Sequence, residues 1–203
     1  PRMSRPGLRL LVYDRGAGAL SWAWATGARL YRTSGFIDRA RGATSWGEAL
    51  EFLETVEPSL GVAEIQFWGH GKWGDARFGG ETLAVGSLER GHPHAVRLRR
   101  VARRFESDPL FWFRSCETLG ARAGQEFGRV IAAELGCRVA GHTYVIDVLQ
   151  SGLHALGPGA APDWDPGEGI ERGTPERPLS ALRSSAAAPR TITCFEGRLP
   201  AWA

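Results

Sequence analysis

Short apolar runs alternate along the chain with segments whose apolar residues recur at helical spacing. The runs Leu8 to Tyr13, Ala63 to Trp68 and Leu110 to Phe113 have the length and composition of buried strands. Cys137 to Ala140 predicts the start of a fourth strand, and Thr143 to Val148 is expected to continue it in extended form. These strands would supply the centre of the fold.

Helical segments separate the strands. The clearest of them begins at Ser45, which has capping-box spacing with Glu48 and precedes an apolar stripe. Further helices are predicted over Ala19 to Tyr31, over the arginine-rich segment His94 to Phe105, and over Ala121 to Leu135. Strands that alternate with helices predict an α/β domain with a mostly parallel sheet and helices on both faces.

Two segments depart from this alternation. Lys72 to Leu88 is rich in glycine and predicts a hairpin or an excursion beyond the sheet. From Gly157 onward Gly, Pro, Ala and Ser dominate, and one last strand is predicted at Thr191 to Phe195. We therefore divide the chain into an α/β domain over residues 1–156 and an extension over residues 157–203 that packs on it. A lid over the strand ends is one hypothesis for this extension.

Composition and charge narrow the function classes. Hydrophobic residues make up 43% of the 203 positions, which suffices for a substantial core, and the net charge of +3 is too weak to indicate nucleic acid. The arginines of His94 to Phe105 are interpreted as a solvated helix face rather than a phosphate-binding patch. No run reaches the roughly 18 apolar residues of a membrane span. We expect a cytoplasmic protein with no nucleic-acid or membrane partner, and its oligomeric state stays open.

The candidate chemistry lies where two predicted strands end. One strand ends in Gly69-His70-Gly71 and the other in Arg114-Ser115-Cys116. Because ligands of open parallel sheets bind beyond the carboxyl ends of the strands, both side chains would reach one rim. A thiol attacks as its thiolate, and an imidazole can take its proton and later protonate a leaving amine. The Gly71 and Cys116 amides are the candidate donors to a developing oxyanion.

Other cysteines, histidines and acidic residues compete with this pair for a functional role. Three widely spaced cysteines do not form a disulfide framework, and Cys137 and Cys194 are interpreted as small core residues inside strands. His142 follows the fourth strand and, together with Asp75 and Glu117, is a candidate for substrate binding. The spacing of cysteines and histidines does not favour a zinc site, so no metal or organic cofactor is predicted.

An apolar strand that ends in His70-Gly71, followed about 46 residues later by one that ends in Ser115-Cys116, resembles the caspase-like (clan CD) cysteine peptidases. The likeness covers about Leu8 to Val148 and is closest to the broad bacterial group. It implies a three-layer α/β/α fold and a thiol peptidase with Cys116 as nucleophile and His70 as general acid/base. Arg-Ser-Cys-Glu-Thr replaces the caspase signature Gln-Ala-Cys-Arg-Gly, so aspartate specificity does not carry over.

The sequence therefore predicts a cysteine endopeptidase that cleaves a protein or peptide substrate. Two rivals remain open at this point. One is a catalytically silent caspase-like binding or signalling module, and the other is a non-peptidase thiol hydrolase on the same fold.

Overall fold

A mostly parallel sheet forms the centre of the protein in the computed structural model, which describes residues 7–203. In chain order the elements are β1 (Leu8–Asp14), α1 (Ala19–Thr33), β2 (Arg39–Ala43), α2 (Trp46–Thr55), β3 (Val62–Trp68), β4 (His70–Lys72), β5 (Asp75–Phe78), β6 (Glu81–Ala84), a 3₁₀ turn (Val85–Leu88), α3 (Pro93–Ala102), β7 (Phe105–Arg114), α4 (Ala121–Leu135), β8 (Arg138–His142), β9 (Leu149–Gln150), β10 (Leu153–Leu156), β11 (Ile170–Gly173), β12 (Pro178–Ala181) and β13 (Ile192–Thr193).

The central sheet has the strand order β10-β8-β7-β3-β1-β2. Its strands β2, β1, β3, β7 and β8 run parallel, and only the edge strand β10 is antiparallel to its neighbour. The order reverses at β1, since the chain adds β2 on one side of it and β3, β7 and β8 on the other. The predicted α/β fold class, with a mostly parallel sheet between helical layers, is confirmed.

The two faces of the sheet are covered differently. Alternate residues of the central strands enter a large core beneath α2, α3 and α4, with Phe67, Phe111 and Phe113 among its fully buried side chains. The opposite face is covered by α1, which contributes Tyr31, and by the C-terminal extension. The hydrophobic clusters on this face are smaller than the core beneath α2, α3 and α4.

The C-terminal extension is attached to the domain by buried contacts. Trp164 stacks on His154 at 4.7 Å between ring centroids, and its Nε1–H donates to the Leu119 carbonyl at 3.1 Å. Glu168 lies 2.7 Å from both His154 Nε2 and Thr143 Oγ1. Burial alone would raise the pKa of Glu168, but these two hydrogen bonds hold that pKa below its ordinary value. The extension thus packs as part of the folded unit.

Several local predictions differ from the structure. Thr143 to Val148, expected to be extended, consists mainly of bends, with one isolated β-bridge between Val145 and Arg183. Cys194, expected inside a strand, lies in the turn after the short strand β13 and is half-buried, because the final strand ends at Thr193. Cys137 is fully buried, as predicted. None of the helices in residues 7–203 carries an apolar stretch long enough to cross a bilayer.

Candidate active site

The two candidate residues follow adjacent strands at the same offset. In the parallel pair β3–β7, Trp68 is the register partner of Arg114, and these are the last residues of their strands. His70 comes two residues after Trp68, and Cys116 comes two residues after Arg114. The parallel, adjacent arrangement predicted for these strands is therefore confirmed, and it places both residues beyond the same edge of the sheet.

The turn that carries Cys116 is fixed by hydrogen bonds on both sides. The Ser115 and Thr118 hydroxyls lie 2.6 Å apart, and the Glu117 amide donates to the Tyr144 carbonyl at 3.0 Å. Glu117 has a φ of 55°, in the left-handed region that costs a non-glycine residue energy. Such local strain persists only where the surroundings determine it, so the Cys116 turn is rigidly specified.

Gly71 allows the His70 segment to pack against this turn. A Cβ at Gly71 would come within 2.9 Å of the Cys116 carbonyl oxygen and would overlap the Thr118 hydroxyl. The absence of a side chain at Gly71 is therefore what permits the close approach of β4 to the Cys116 turn. His70 begins β4, which pairs with β5 as the first strand of the glycine-rich excursion.

The Cys116 thiol is half-buried and contacts the loop after β8. Its sulfur lies 3.4 Å from the Ile146 amide nitrogen and 3.7 Å from the Ile146 carbonyl oxygen. Burial raises the pKa of the thiol, and the Ile146 amide partly offsets this because it stabilises the thiolate. The thiol proton has the Ile146 carbonyl as its acceptor.

His70 is exposed at the mouth of the same site. Its ring stands edge-on to Trp24 of α1, with 5.6 Å between the ring centroids. Within the described residues no hydrogen bond joins His70 to Cys116, although both side chains line one cavity. Proton transfer between them would require a hydrogen bond that forms when substrate binds, as is common for catalytic pairs.

Both side chains line one cavity of about 840 Å³. One wall is α1, which contributes Trp24, and Trp68 at the end of β3 lies beside it. The loop from Val145 to Val148 forms another wall. The C-terminal extension closes it with Cys194 and Phe195. This volume lies in the range of small-molecule and substrate sites, and the lining is mainly apolar with a few polar groups, as such sites usually are.

A buried arginine forms the floor of the cavity. Arg114 is 4% exposed, and the guanidinium lies over the Trp112 ring at 4.5 Å. Its N–H groups donate to Gln150 Oε1, to the Tyr31 hydroxyl and to the carbonyls of Thr193 and Glu196. Arg114 therefore joins the end of β7 to α1, to β9 and to the extension, and it holds the cavity walls together.

The three residues predicted to bind substrate do not line this cavity. Asp75 accepts from the Arg77 guanidinium and from the Lys72 amide in the β4–β5 hairpin. Glu117 is 8% exposed, and burial raises the pKa of its carboxyl group, which Lys72 and Arg77 partly counteract. His142 is fully buried, and its Nδ1 lies 3.1 Å from the Ser151 carbonyl.

Sequence reasoning missed several cavity residues. Arg114 had a detectable signal, because a charged residue closes an otherwise apolar strand two positions before the cysteine. Trp24 had a weaker signal, as one of two tryptophans within a single predicted helix. Ile146, Cys194 and Phe195 carried no comparable signal, since they reach the cavity only through the folding of loops remote in sequence.

A scan against protein-family models and a search of curated proteins both find no match to this chain. Within residues 7–203, no three His, Cys, Asp or Glu side chains are grouped so that they could hold a metal ion. Function is therefore inferred from the chemistry and geometry of the cavity.

Proposed function

We propose that the protein is a cysteine peptidase of the caspase-like type that cleaves peptide bonds with Cys116 and His70. The observation that carries the proposal is that these two side chains, at equal offsets beyond paired parallel strands, line the same cavity. A small antiparallel sheet, β4-β5-β6, follows directly after the strand that precedes His70 and begins with His70 itself.

The first step forms an acyl-enzyme. His70 takes the proton of the Cys116 thiol, and the thiolate attacks the carbonyl carbon of the scissile bond. The Gly71 and Cys116 amides are proposed to stabilise the resulting oxyanion. When the tetrahedral species collapses, the C–N bond breaks and His70 gives its proton to the departing amine.

The second step releases the acyl group. Water replaces the amine, and His70 takes a proton from it as the oxygen attacks the thioester carbonyl. Collapse expels the Cys116 thiolate, which recovers its proton from His70. Burial raises the pKa of the Cys116 thiol, so the thiol needs His70 as a base when it attacks.

The test compares cleavage of a complex peptide mixture by three proteins. The wild type should yield new peptide termini, and Cys116→Ala should yield none while it remains folded. Cys194→Ala is a matched control, because Cys194 is also a half-buried cysteine on the cavity wall. It should retain activity. Cleavage that survives Cys116→Ala would contradict the proposal.

A second candidate is a silent module that binds peptides without cleaving them. The raised pKa of the Cys116 thiol and its contact with Ile146 rather than His70 favour this alternative. It predicts that wild type and Cys116→Ala bind the same peptides equally well and that neither releases new termini. The digestion experiment therefore separates the two candidates.

A further inference from the structure

The cavity beside Cys116 and His70 gathers an unusual share of the exposed apolar surface. The large hydrophobic side chains that are both exposed and part of its wall are Leu20, Trp22, Leu30, Val148 and Phe195. Trp22 alone is 78% exposed. Clustered exposed apolar groups around a concave site indicate that something apolar covers them in the functional state.

The buried charge in the floor is not available to an acidic ligand. Each N–H direction of the Arg114 guanidinium already meets a protein acceptor, Gln150 Oε1 and the Tyr31 hydroxyl among them. A carboxylate that entered the cavity would lose its water shell and find no free donor on Arg114. Burial without compensating hydrogen bonds is costly for a charged group, so the floor disfavours an acidic side chain.

A basic ligand is disfavoured for a different reason. The acidic side chain on the cavity wall is Asp147, whose Oδ2 lies 3.8 Å from Arg183 Nη2 and whose Oδ1 accepts from the Leu149 amide at 3.0 Å. Among the ion pairs of the described residues none involves Arg114, so its positive charge also opposes a cation in the floor. Arg183 also lines the cavity, but it is 77% exposed and pairs with the 52% exposed Asp147 at 3.8 Å. Solvent screens both of these charges, so neither sign of charge finds a buried complementary group.

We propose that this cavity is the specificity pocket of the enzyme and receives a large apolar or aromatic side chain from the residue whose carbonyl Cys116 attacks. The inference rests on the proposed peptidase function. That residue becomes covalently attached to the Cys116 sulfur, which itself belongs to the cavity wall beside Ile146. Its side chain is therefore the part of the substrate held nearest to the apolar walls through both steps.

The size of the space agrees with this occupant. A cavity of about 840 Å³ exceeds the volume of any single side chain, so even an indole fits beside Trp24 and Trp68. Selectivity then comes from burial of apolar area rather than from one charged contact. We expect the pocket to accept Phe, Trp or Leu at this substrate position and to exclude charged side chains.

The experiment measures how fast three peptidyl acyloxymethyl ketones label the sulfur of Cys116 in the full-length protein. The probes differ only in the residue next to the reactive ketone, which is Phe, Asp or Lys. We expect the Phe probe to react about tenfold faster or more, since burial of its ring favours binding by more than 1.4 kcal/mol.

A cavity-filling variant tests whether the preference for the Phe probe arises in this cavity. Ala23→Trp places an indole on the exposed wall of α1 that faces the cavity, whereas the matched control Arg29→Trp lies on the same helix outside it. Ala23→Trp should lower the ratio of the Phe-probe rate to the Asp-probe rate about tenfold. Arg29→Trp should leave the ratio unchanged. Thr26→Trp is a second filling variant in case Ala23→Trp does not fold.

The outcomes distinguish failure of the apolar pocket from failure of the peptidase function. Faster labelling by the Asp or Lys probe, or an unchanged probe ratio in a folded cavity-filling variant, overturns the apolar pocket and leaves the peptidase proposal standing. Failure of all three probes at Cys116, in protein whose Cys116 still reacts with iodoacetamide, overturns the peptidase proposal and with it the pocket.

Discussion

Replacement of Arg114 by methionine tests whether this buried side chain holds the cavity together. The guanidinium makes hydrogen bonds of 2.5 to 3.4 Å to acceptors on α1, β9 and the C-terminal extension. Methionine has a similar length and fills the space but donates nothing. Gln150 Oε1, which receives two of these bonds, would lose both, whereas the Glu196 carbonyl keeps its contact with the Tyr31 hydroxyl.

The expected loss follows from these contacts. A buried acceptor left unsatisfied costs about 1–3 kcal/mol, and each hydrogen bond from a charged donor contributes about 1.5–3 kcal/mol. Removal of the buried charge recovers part of this, because its desolvation penalty disappears as well. We expect Arg114→Met to lower the free energy of unfolding by about 2–4 kcal/mol.

Urea unfolding followed by tryptophan fluorescence measures this loss, since the chain contains eight tryptophans. Amide hydrogen exchange should accelerate most around Thr193 and Glu196, because the extension loses its hydrogen bonds to Arg114 there. The matched control is Arg122→Met, because Arg122 pairs with Glu176 at the surface and such pairs contribute little. A change below about 0.5 kcal/mol in Arg114→Met, with unchanged exchange in the extension, would refute the anchoring role.

Three further predictions concern single residues. Cys137 is fully buried, and burial raises the pKa of its thiol to about 12; we expect Cys137→Ser to cost about 1 kcal/mol or more in urea unfolding, and comparable stability would contradict a core position. Burial lowers the pKa of His142 to about 3, so between about pH 6.5 and 3 the unfolded state binds a proton that the folded state does not. The free energy of unfolding should therefore fall as the pH drops through this window, by about 1.4 kcal/mol per pH unit from this group. Urea unfolding at pH 7, 6 and 5 should show a smaller fall in His142→Gln than in the wild type. An equal fall in the two proteins would refute the lowered pKa of His142. Gly71→Ala should push β4 away from the Cys116 turn and abolish Cys116-dependent cleavage, whereas Gly80→Ala, which has open space around it, should not; equal activity of the two variants would contradict the close packing.

The sequence predicted those parts of the fold that have a strong local pattern. The apolar run of β3 and the capping contact from the Glu48 amide to Ser45 Oγ, at 3.1 Å, are examples. The strand β2 escaped detection because Arg39–Ala43 contains no large apolar residue. It forms because the backbone of β1 offers it an edge to pair with, and this condition arises only in the folded chain.

The candidate site was predictable to a similar degree. His70 and Cys116 each follow an apolar strand, and parallel pairing brings such positions to one edge of the sheet. Asp75 is a substrate-binding candidate only through its charge and its nearness in sequence to His70, and in the structure it pairs with Arg77 in its own hairpin. The cavity wall combines α1, the Ile146 loop and Phe195, and no local pattern indicates that these segments meet.

Covalent capture of Cys116 by a peptidyl acyloxymethyl ketone is the most direct measurement of the proposed chemistry. Intact-protein mass spectrometry should show one adduct in the wild type, and peptide mapping should place it on Cys116 rather than on Cys194. His70→Ala should slow this labelling strongly, while Cys116 in that variant still reacts with iodoacetamide at alkaline pH. An adduct on Cys194, or labelling of Cys116 at the same rate without His70, would contradict the proposed Cys-His mechanism.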